Sequence, residues 1–361
     1  MKLSYIDALR GFAVLGVIMF HSLTFGEIEY FPKIFAGILG NGFHGVQLFF
    51  VVSAFTLFLS MDRRHDNEKN PSLNFFVRRF FRIAPMYYIG IIYYLWQNGF
   101  VNNYSICGDG IVTTTNVLSN VFFLHGLYPD FINTVVPGGW SIAVEMSFYL
   151  LVPFLFLKIK NTKQSFFFLV FTLILRFVLH ALLSRYSFEC DRVWNSYLFF
   201  YLPSQLPVFA LGILFYHIVK EGYKLVISPL LLLVTFLLIV GQIIGYSIFP
   251  KHILFSISFV VIGLALSKKE FKLIVNPVII YIGKISYSMY LSHFAVIYWM
   301  TKYNYLNFLE GDNLYINLVN YGIRFLIVIV LSVLLSFIMY KIIERPMQKL
   351  GKKVITKITH N

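Results

Sequence analysis

Tyr5-Ile-Asp-Ala-Leu-Arg10-Gly-Phe-Ala-Val-Leu-Gly-Val-Ile-Met-Phe-His21 is the stretch on which the fold turns. With its flanks it forms an apolar run over 5–25, the length an α-helix needs to cross the hydrocarbon core of a bilayer. No cleavage site of small residues follows it, so it is expected to be a first membrane helix and not a signal peptide. The rest of the chain has the same character. Of 361 residues, 58% are hydrophobic, 19% aromatic and 13% charged. A water-soluble domain carries about 25% charged residues. Half that leaves too little polar surface for a water-facing globule, which excludes disorder, a coiled-coil rod and an ordinary cytosolic enzyme.

Ten stretches are expected to span: 5–25, 36–60, 75–97, 139–159, 164–184, 197–218, 225–247, 250–267, 276–300 and 321–344. The expected fold is therefore an all-α integral membrane protein of about ten transmembrane helices. With the N-terminus placed inside, 22 of the 30 Lys and Arg fall on the inner side, in loops, at inner span ends or in the C-terminal tail, five on the outer side, and three, Arg10, Arg176 and Arg324, deeper within spans. Such a bias sets orientation and predicts that both termini are cytoplasmic. The net charge of +14 is thereby explained by topology, and a nucleic-acid partner is not expected. One transmembrane domain over 1–350 and a short basic tail over 351–361 are expected, with no compact soluble domain before, between or after the spans. In the long outer loop, 98–138, the stretch Asn116 to Leu124 is expected to form a short interfacial or re-entrant helix. Cys107 and Cys190 both fall in outer loops, where a disulfide between them is permitted; two free thiols are the alternative.

Ionisable groups inside spans are expensive and are candidate sites by default. Arg10 and His21 are eleven residues apart, almost three full turns. They share one face of the helix, about 16 Å apart along its axis. That stripe can line a long, narrow ligand. The other reading is an Asp7–Arg10 pair at i,i+3 and a packed histidine. No His-Glu-x-x-His spacing occurs, so no metal is expected. Gly40-Asn-Gly-Phe-His-Gly45 satisfies the G-x-G-x-x-G pattern, but it follows no strand and opens a membrane helix, so nucleotide binding there is not expected.

Arg10 followed by ten residues and His21 resembles the first-span motif of the acyltransferase-3 family of membrane acyltransferases. Further motifs agree, in order. Phe43-His-Gly-Val-Gln-Leu-Phe-Phe-Val-Val-Ser-Ala-Phe55 is similar to the family's second span, with Ala54 where the family usually has Gly. Arg79-Phe-Phe-Arg82 followed by Pro85 matches its Arg-x-x-Arg entry to the third span. Gly139-Trp-Ser-Ile-Ala-Val-Glu145 with Phe148-Tyr149, Ser286-Tyr-Ser-Met-Tyr-Leu-Ser-His293 and Glu344-Arg-Pro346 match later segments. The resemblance covers about residues 3–350.

The resemblance implies transfer of an acetyl group from cytoplasmic acetyl-CoA to a hydroxyl of a surface polysaccharide such as O-antigen or exopolysaccharide, or of its lipid-linked precursor. It also implies a bacterial inner membrane. Arg79 and Arg82 are expected to grip the phosphates of CoA, since arginine holds phosphate oxygens by charge-assisted, bidentate hydrogen bonds. Arg63 and Arg64 are expected only to anchor the inner face. Arg10 is expected along the pantetheine arm, and His21 as general base, its ordinary pKa lying near working pH. Glu145 is expected in the catalytic set. It could orient His21, contact the sugar, or pair with an intramembrane arginine such as Arg176; a purely structural ion pair is the other reading. Trp140, Ser141 and His293 are expected to bind the acceptor, although Trp140 also suits an interfacial belt. Ser141 is not expected to be a nucleophile, because no base is adjacent. His44 and His125 could flank the acceptor path. Expected partners are acetyl-CoA, the glycan acceptor and membrane lipid, with a homo-oligomer or a separate extracytoplasmic partner open. A transporter or flippase of a lipid-linked glycan would also place polar groups in spans, but no paired repeat halves are present. A structural membrane subunit leaves Arg10, His21 and Glu145 unexplained.

Overall fold

In hydrocarbon every backbone N–H and C=O must be paired within the chain, which a long apolar segment achieves only as a helix or in a closed barrel. The computed structural model takes the helical solution. It describes residues 3–26, 31–101, 110–186, 188–222, 229–247, 249–311 and 313–360. Cys107 lies outside the described residues, and with it the proposed pairing to Cys190; Cys190 is not a free thiol.

The helices are α1 (Ser4–Thr24), α2 (Lys33–Gly40), α3 (Gly45–Asp62), α4 (Pro71–Asn98), α5 (Thr114–Val121), α6 (Gly139–Lys158), α7 (Thr162–Leu183), α8 (Asp191–Phe200), α9 (Leu202–Lys220), α10 (Pro229–Ile243), α11 (Lys251–Lys268), α12 (Pro277–Lys284), α13 (Ser286–Lys302), α14 (Leu314–Met339) and α15 (Arg345–His360). Among the described residues no strand forms; Val101 and Ile111 make one isolated bridge. The ends follow local chemistry. The side chains of Asn161, Asn276 and Asn313 accept from the backbone N–H three residues on, at the starts of α7, α12 and α14, as N-caps do. Thr113 and Asn116 form a capping box on α5, the short helix expected within the 98–138 loop. Gly99, with φ 62°, closes α4 in the left-handed conformation that glycine tolerates best.

Seven helices among the described residues are long and apolar enough to cross a membrane: α1, Lys33–Asp62, α6, α7, Asp191–Lys220, α11 and Leu314–Thr359. The other three expected spans are helical but fall short of that measure. α4 carries Arg78, Arg79 and Arg82 in its first half. Within the described part of 225–247, the helix is the 15-residue α10. The stretch 276–300 divides at Ile285 into α12 and α13. The second apolar stretch is also interrupted, by a 3-10 turn over Asn41–His44.

The chain forms two compact units, Met1–Val52 with Gly222–Tyr340, and Ser53–Glu221 with Lys341–Asn361. In the first, α1 packs against α12, α13 and α14 and against the Asn41–His44 turn. Glycines permit the closest approaches. A Cβ on Gly283 of α12 would overlap the Asp7 carbonyl of α1, and one on Gly45 would overlap the Ala13 carbonyl. Gly42 lies equally close to Gly16. Gly42 and Gly45 of the G-x-G-x-x-G pattern thus serve helix packing, as small residues do in membranes, whereas Gly40 faces open space. Gly283→Ala is expected to cost about 1–3 kcal/mol, because the opposing atom is backbone and cannot swing away. Gly322→Ala meets open space and is expected to be neutral or mildly stabilising. Paired thermal melts check this; equal midpoints for the two variants would refute it.

In the second unit, α7 packs on α9, and α15 packs on α4 with Gly351 against the Phe81 ring. Phe148 stacks on Phe209 at 4.0 Å, joining α6 to α9. Phe55 lies 4.6 Å from Phe215, joining the end of α3 to α9.

Candidate active site

One residue of α14 holds the last turn of α1, which carries His21. Arg324 is 2% exposed. Its Nε donates to the Ser22 carbonyl at 2.7 Å, and its Nη1 to the Leu306 carbonyl at 3.0 Å and Asn307 Oδ1 at 3.2 Å. The end of a helix presents carbonyls without intrahelical partners and favours a cation there. α13 is tied to the same helix by a hydrogen bond between the Ser292 and Ser336 hydroxyls, 3.2 Å. His21 and His293 are therefore both positioned against α14, and their rings lie 5.3 Å apart. Phe294 lies 4.4 Å from the His21 ring and 4.2 Å from that of His293, and Phe20 and Phe25 also contact His21. His21 is half-buried. His293 is fully buried, with Nδ1 3.1 Å from the Met289 carbonyl.

Arg10 sits on α1 with Asp7 3.5 Å away, so the i,i+3 pair that the spacing allowed is formed. His44 is buried, hydrogen-bonded through Nδ1 to Gln47 Oε1 at 3.2 Å and stacked on Phe255 at 4.3 Å.

In the second unit, Glu145 of α6 has two hydroxyl donors on one oxygen. Ser53 Oγ and Tyr149 OH both donate to Oε1, the latter at 2.7 Å. Hydrogen bonds to an ionised acceptor are stronger than neutral ones, so these hold the carboxylate in place. Among the described residues no ion pair joins Glu145 to Arg176, whose guanidinium lies on the Phe177 ring instead. The Arg79 guanidinium stands 5.9 Å from the Tyr149 ring and 5.6 Å from Phe75, and Arg82 also acts electrostatically on Tyr149. Two motifs that the sequence could only set in order, Arg79 with Arg82 and Glu145, thus meet at Tyr149. Arg78 by contrast is neutralised by Glu68 at 2.7 Å. Tyr149 and Ser53 were part of the motifs, but nothing in their spacing revealed that they share one carboxylate oxygen.

Trp140, at the start of α6, is 7% exposed and stacked on Phe200 at 4.4 Å, which occupies one face of the indole. Ser141 Oγ donates to the Gly138 carbonyl at 3.0 Å. A network that sequence reasoning missed supports this end of α6. Tyr87 OH donates to Asn120 Oδ1 at 2.8 Å, and His125 Nε2 lies 3.1 Å from Tyr87 OH and 3.0 Å from the Gly139 carbonyl. His125 lies in the connection between α5 and α6. Burial pushes its pKa down to about 4, against opposing backbone hydrogen bonds from Gly139 and Ser119. Its folded value is below the unfolded one, so its contribution to stability is present above about pH 6.5 and is lost as pH falls toward 4. The full difference amounts to roughly 3 kcal/mol. Melts between pH 7 and 4 are expected to fall less steeply for His125→Gln than for wild type, and parallel curves would refute this.

Among the described residues no group of three or more His, Cys, Asp or Glu is placed to hold a metal ion.

No solved structure matches the chain. It is similar to the O-acetyltransferase OatA of Staphylococcus aureus strain NCTC 8325 and to that of strain COL. Each is 28% identical over 377 residues, covering 96% of this chain and 57% of the relative. The chain spans about three-fifths of the length of the curated relatives it matches. A family model described as an acyltransferase domain matches residues 3–341, and with nearly its whole length so covered the chain belongs to the acyltransferase-3 family.

Proposed function

We propose that this protein is a multi-pass enzyme of a bacterial inner membrane that moves an acetyl group from acetyl-CoA to a hydroxyl of a surface polysaccharide or its lipid-linked precursor. The observation that carries this reading is His21, half-buried on the last turn of α1, beside the buried His293 and walled by Phe20, Phe25 and Phe294. It is a titratable group in an apolar, aromatic setting. His21 acts as general base: it takes the proton of the acceptor hydroxyl as that oxygen attacks the thioester carbonyl, and it returns the proton to the departing CoA thiolate. Ester and free CoA thiol result, and no further reactant is needed.

Arg79 and Arg82 take the phosphates of CoA. The cation–aromatic contacts of Arg79 with Phe75 and Tyr149 help to orient its guanidinium. Arg10 lies along the pantetheine arm. Glu145, fixed by Ser53 and Tyr149, acts on charge and orientation, and Trp140 and Ser141 shape the acceptor side. The ten-span arrangement with cytoplasmic termini belongs to this reading. It rests on the placement of 22 of 30 basic residues, and it puts CoA-binding arginines on the side where CoA is found.

The test uses purified protein in lipid, radiolabelled acetyl-CoA and envelope glycan extract. Label is expected to enter the glycan. If acetyl-CoA neither binds nor donates, the reading fails and a transporter takes its place.

A further inference from the structure

The Nδ1 of His293 lies 3.1 Å from the Met289 carbonyl. A carbonyl oxygen only accepts, so Nδ1 carries the hydrogen, and in the neutral ring Nε2 is left as a bare acceptor. That Nε2 is buried and has no hydrogen-bond partner in the protein, on a residue with no exposed surface. Buried polar atoms are nearly always satisfied, and an exception calls for a reason. The ring's neighbours do not supply one: Phe294 and Tyr290 present rings, at 4.2 and 5.9 Å. The adjacent Ser292 hydroxyl is already paired with Ser336. Beside it stands His21, with ring centres 5.3 Å apart.

We infer that the bare Nε2 of His293 binds a hydrogen-bond donor of the acceptor, a hydroxyl or amide N–H next to the hydroxyl that is acylated. This deepens the proposed function and rests on it. Neighbouring oxygens of a sugar ring lie about one hydrogen-bond length apart, so a vicinal pair can serve the two imidazoles together. The reacting hydroxyl gives its proton to His21, and its neighbour donates to His293 at about 2.8 Å. His293 takes up no proton. It selects acceptors that carry a donor beside the nucleophile, such as 1,2-diols and N-acylated amino sugars, and fixes which hydroxyl faces His21. A site built to receive a substrate hydrogen bond discriminates strongly against an analogue lacking it, because its own polar atom is then left unpaired.

The experiment compares wild type, His293→Leu and His293→Gln in lipid, with acetyl-CoA and envelope glycan. Leucine removes the acceptor atom at similar volume, and the glutamine amide restores an oxygen near the Nε2 position. His293→Leu is expected to lower kcat/KM for glycan at least tenfold while KM for acetyl-CoA is unchanged, and His293→Gln is expected to recover most of the loss. On the substrate side, methyl hexopyranosides lacking the hydroxyl next to the acylated one are expected to lose a similar factor with wild type and nothing more with His293→Leu. Rates equal to wild type for both variants would overturn the inference and leave a water as the partner of Nε2. A rise in KM for acetyl-CoA alone would also overturn it. Wild-type protein that transfers nothing to glycan would instead overturn the function on which it rests.

Discussion

His21→Ala is expected to lower acyl transfer by a factor of about 10²–10⁴, the usual contribution of a positioned general base, while the protein remains folded. The second half of that expectation matters as much as the first. His21 is half-buried, so its removal opens less void than the loss of a core side chain. The turn that carries it is held by the bond from Arg324 to the main chain of Ser22, which needs no side chain at position 21. Phe20, Phe25 and Phe294 remain to close the wall. The thermal midpoint is therefore expected to move far less than the rate. The check is transfer from labelled acetyl-CoA in lipid, measured beside a melt of the same preparation. A well-folded His21→Ala protein with wild-type rate would remove His21 from the chemistry. A rate loss matched by an equal loss of folded protein would show that the histidine is structural.

Much of the fold was legible because the bilayer imposes one requirement on length and composition together. The first span was expected at 5–25 and forms at Ser4–Thr24; Arg176 in the stretch 164–184 does not prevent α7 from forming over Thr162–Leu183. Interruptions were harder to read, since hydropathy does not register where an apolar segment bends. The break at Ile285 had a local signal: Gly283 and Lys284 suit a helix end, and Ser286 suits a restart. Asn41 and Gly42 gave a similar warning before α3. In both places the interruption accompanies a close approach to α1, by Gly283 to Asp7 and by Gly42 to Gly16, which only the tertiary structure reveals.

The candidate site was legible as residue types and was less so as partnerships. A histidine or carboxylate inside an apolar span stands out because it is costly there, which singled out His21, whereas Glu145 and His293 were singled out through the motifs that resemble the family's. Their neighbours carry no such mark. Tyr149 and Ser53 are ordinary in composition, yet both donate to Glu145. Asn120 and Tyr87 lie in segments with no unusual pattern, yet they complete the network around His125. Arg324 is an intramembrane charge to which the sequence assigns no task, because two of its partners are main-chain carbonyls, and every residue has one.

Arg324 leads to the second large expected effect. It is a buried guanidinium that bonds to the carbonyls of Ser22 and Leu306 and to the Asn307 side chain, so it clamps the last turn of α1 to the segment before α14. Arg324→Met removes three charge-assisted bonds worth about 1.5–3 kcal/mol each, and it recovers roughly 2.5–3.5 kcal/mol by taking a charge out of an apolar span. The first effect wins, for a net loss on the order of 3 kcal/mol. Arg324→Lys separates charge from geometry. Lysine keeps the charge, but a point ammonium on a flexible stem cannot fork across acceptors from two segments as a guanidinium does. It is expected to melt closer to Arg324→Met than to wild type. Because Ser22 is the residue after His21, transfer is also expected to fall in the Lys variant below the extent explained by its folded fraction. Melts and transfer rates of the three proteins in lipid check both points. A lysine variant indistinguishable from wild type would show that charge alone is needed, and a methionine variant of equal stability would show that the clamp contributes nothing net to the fold.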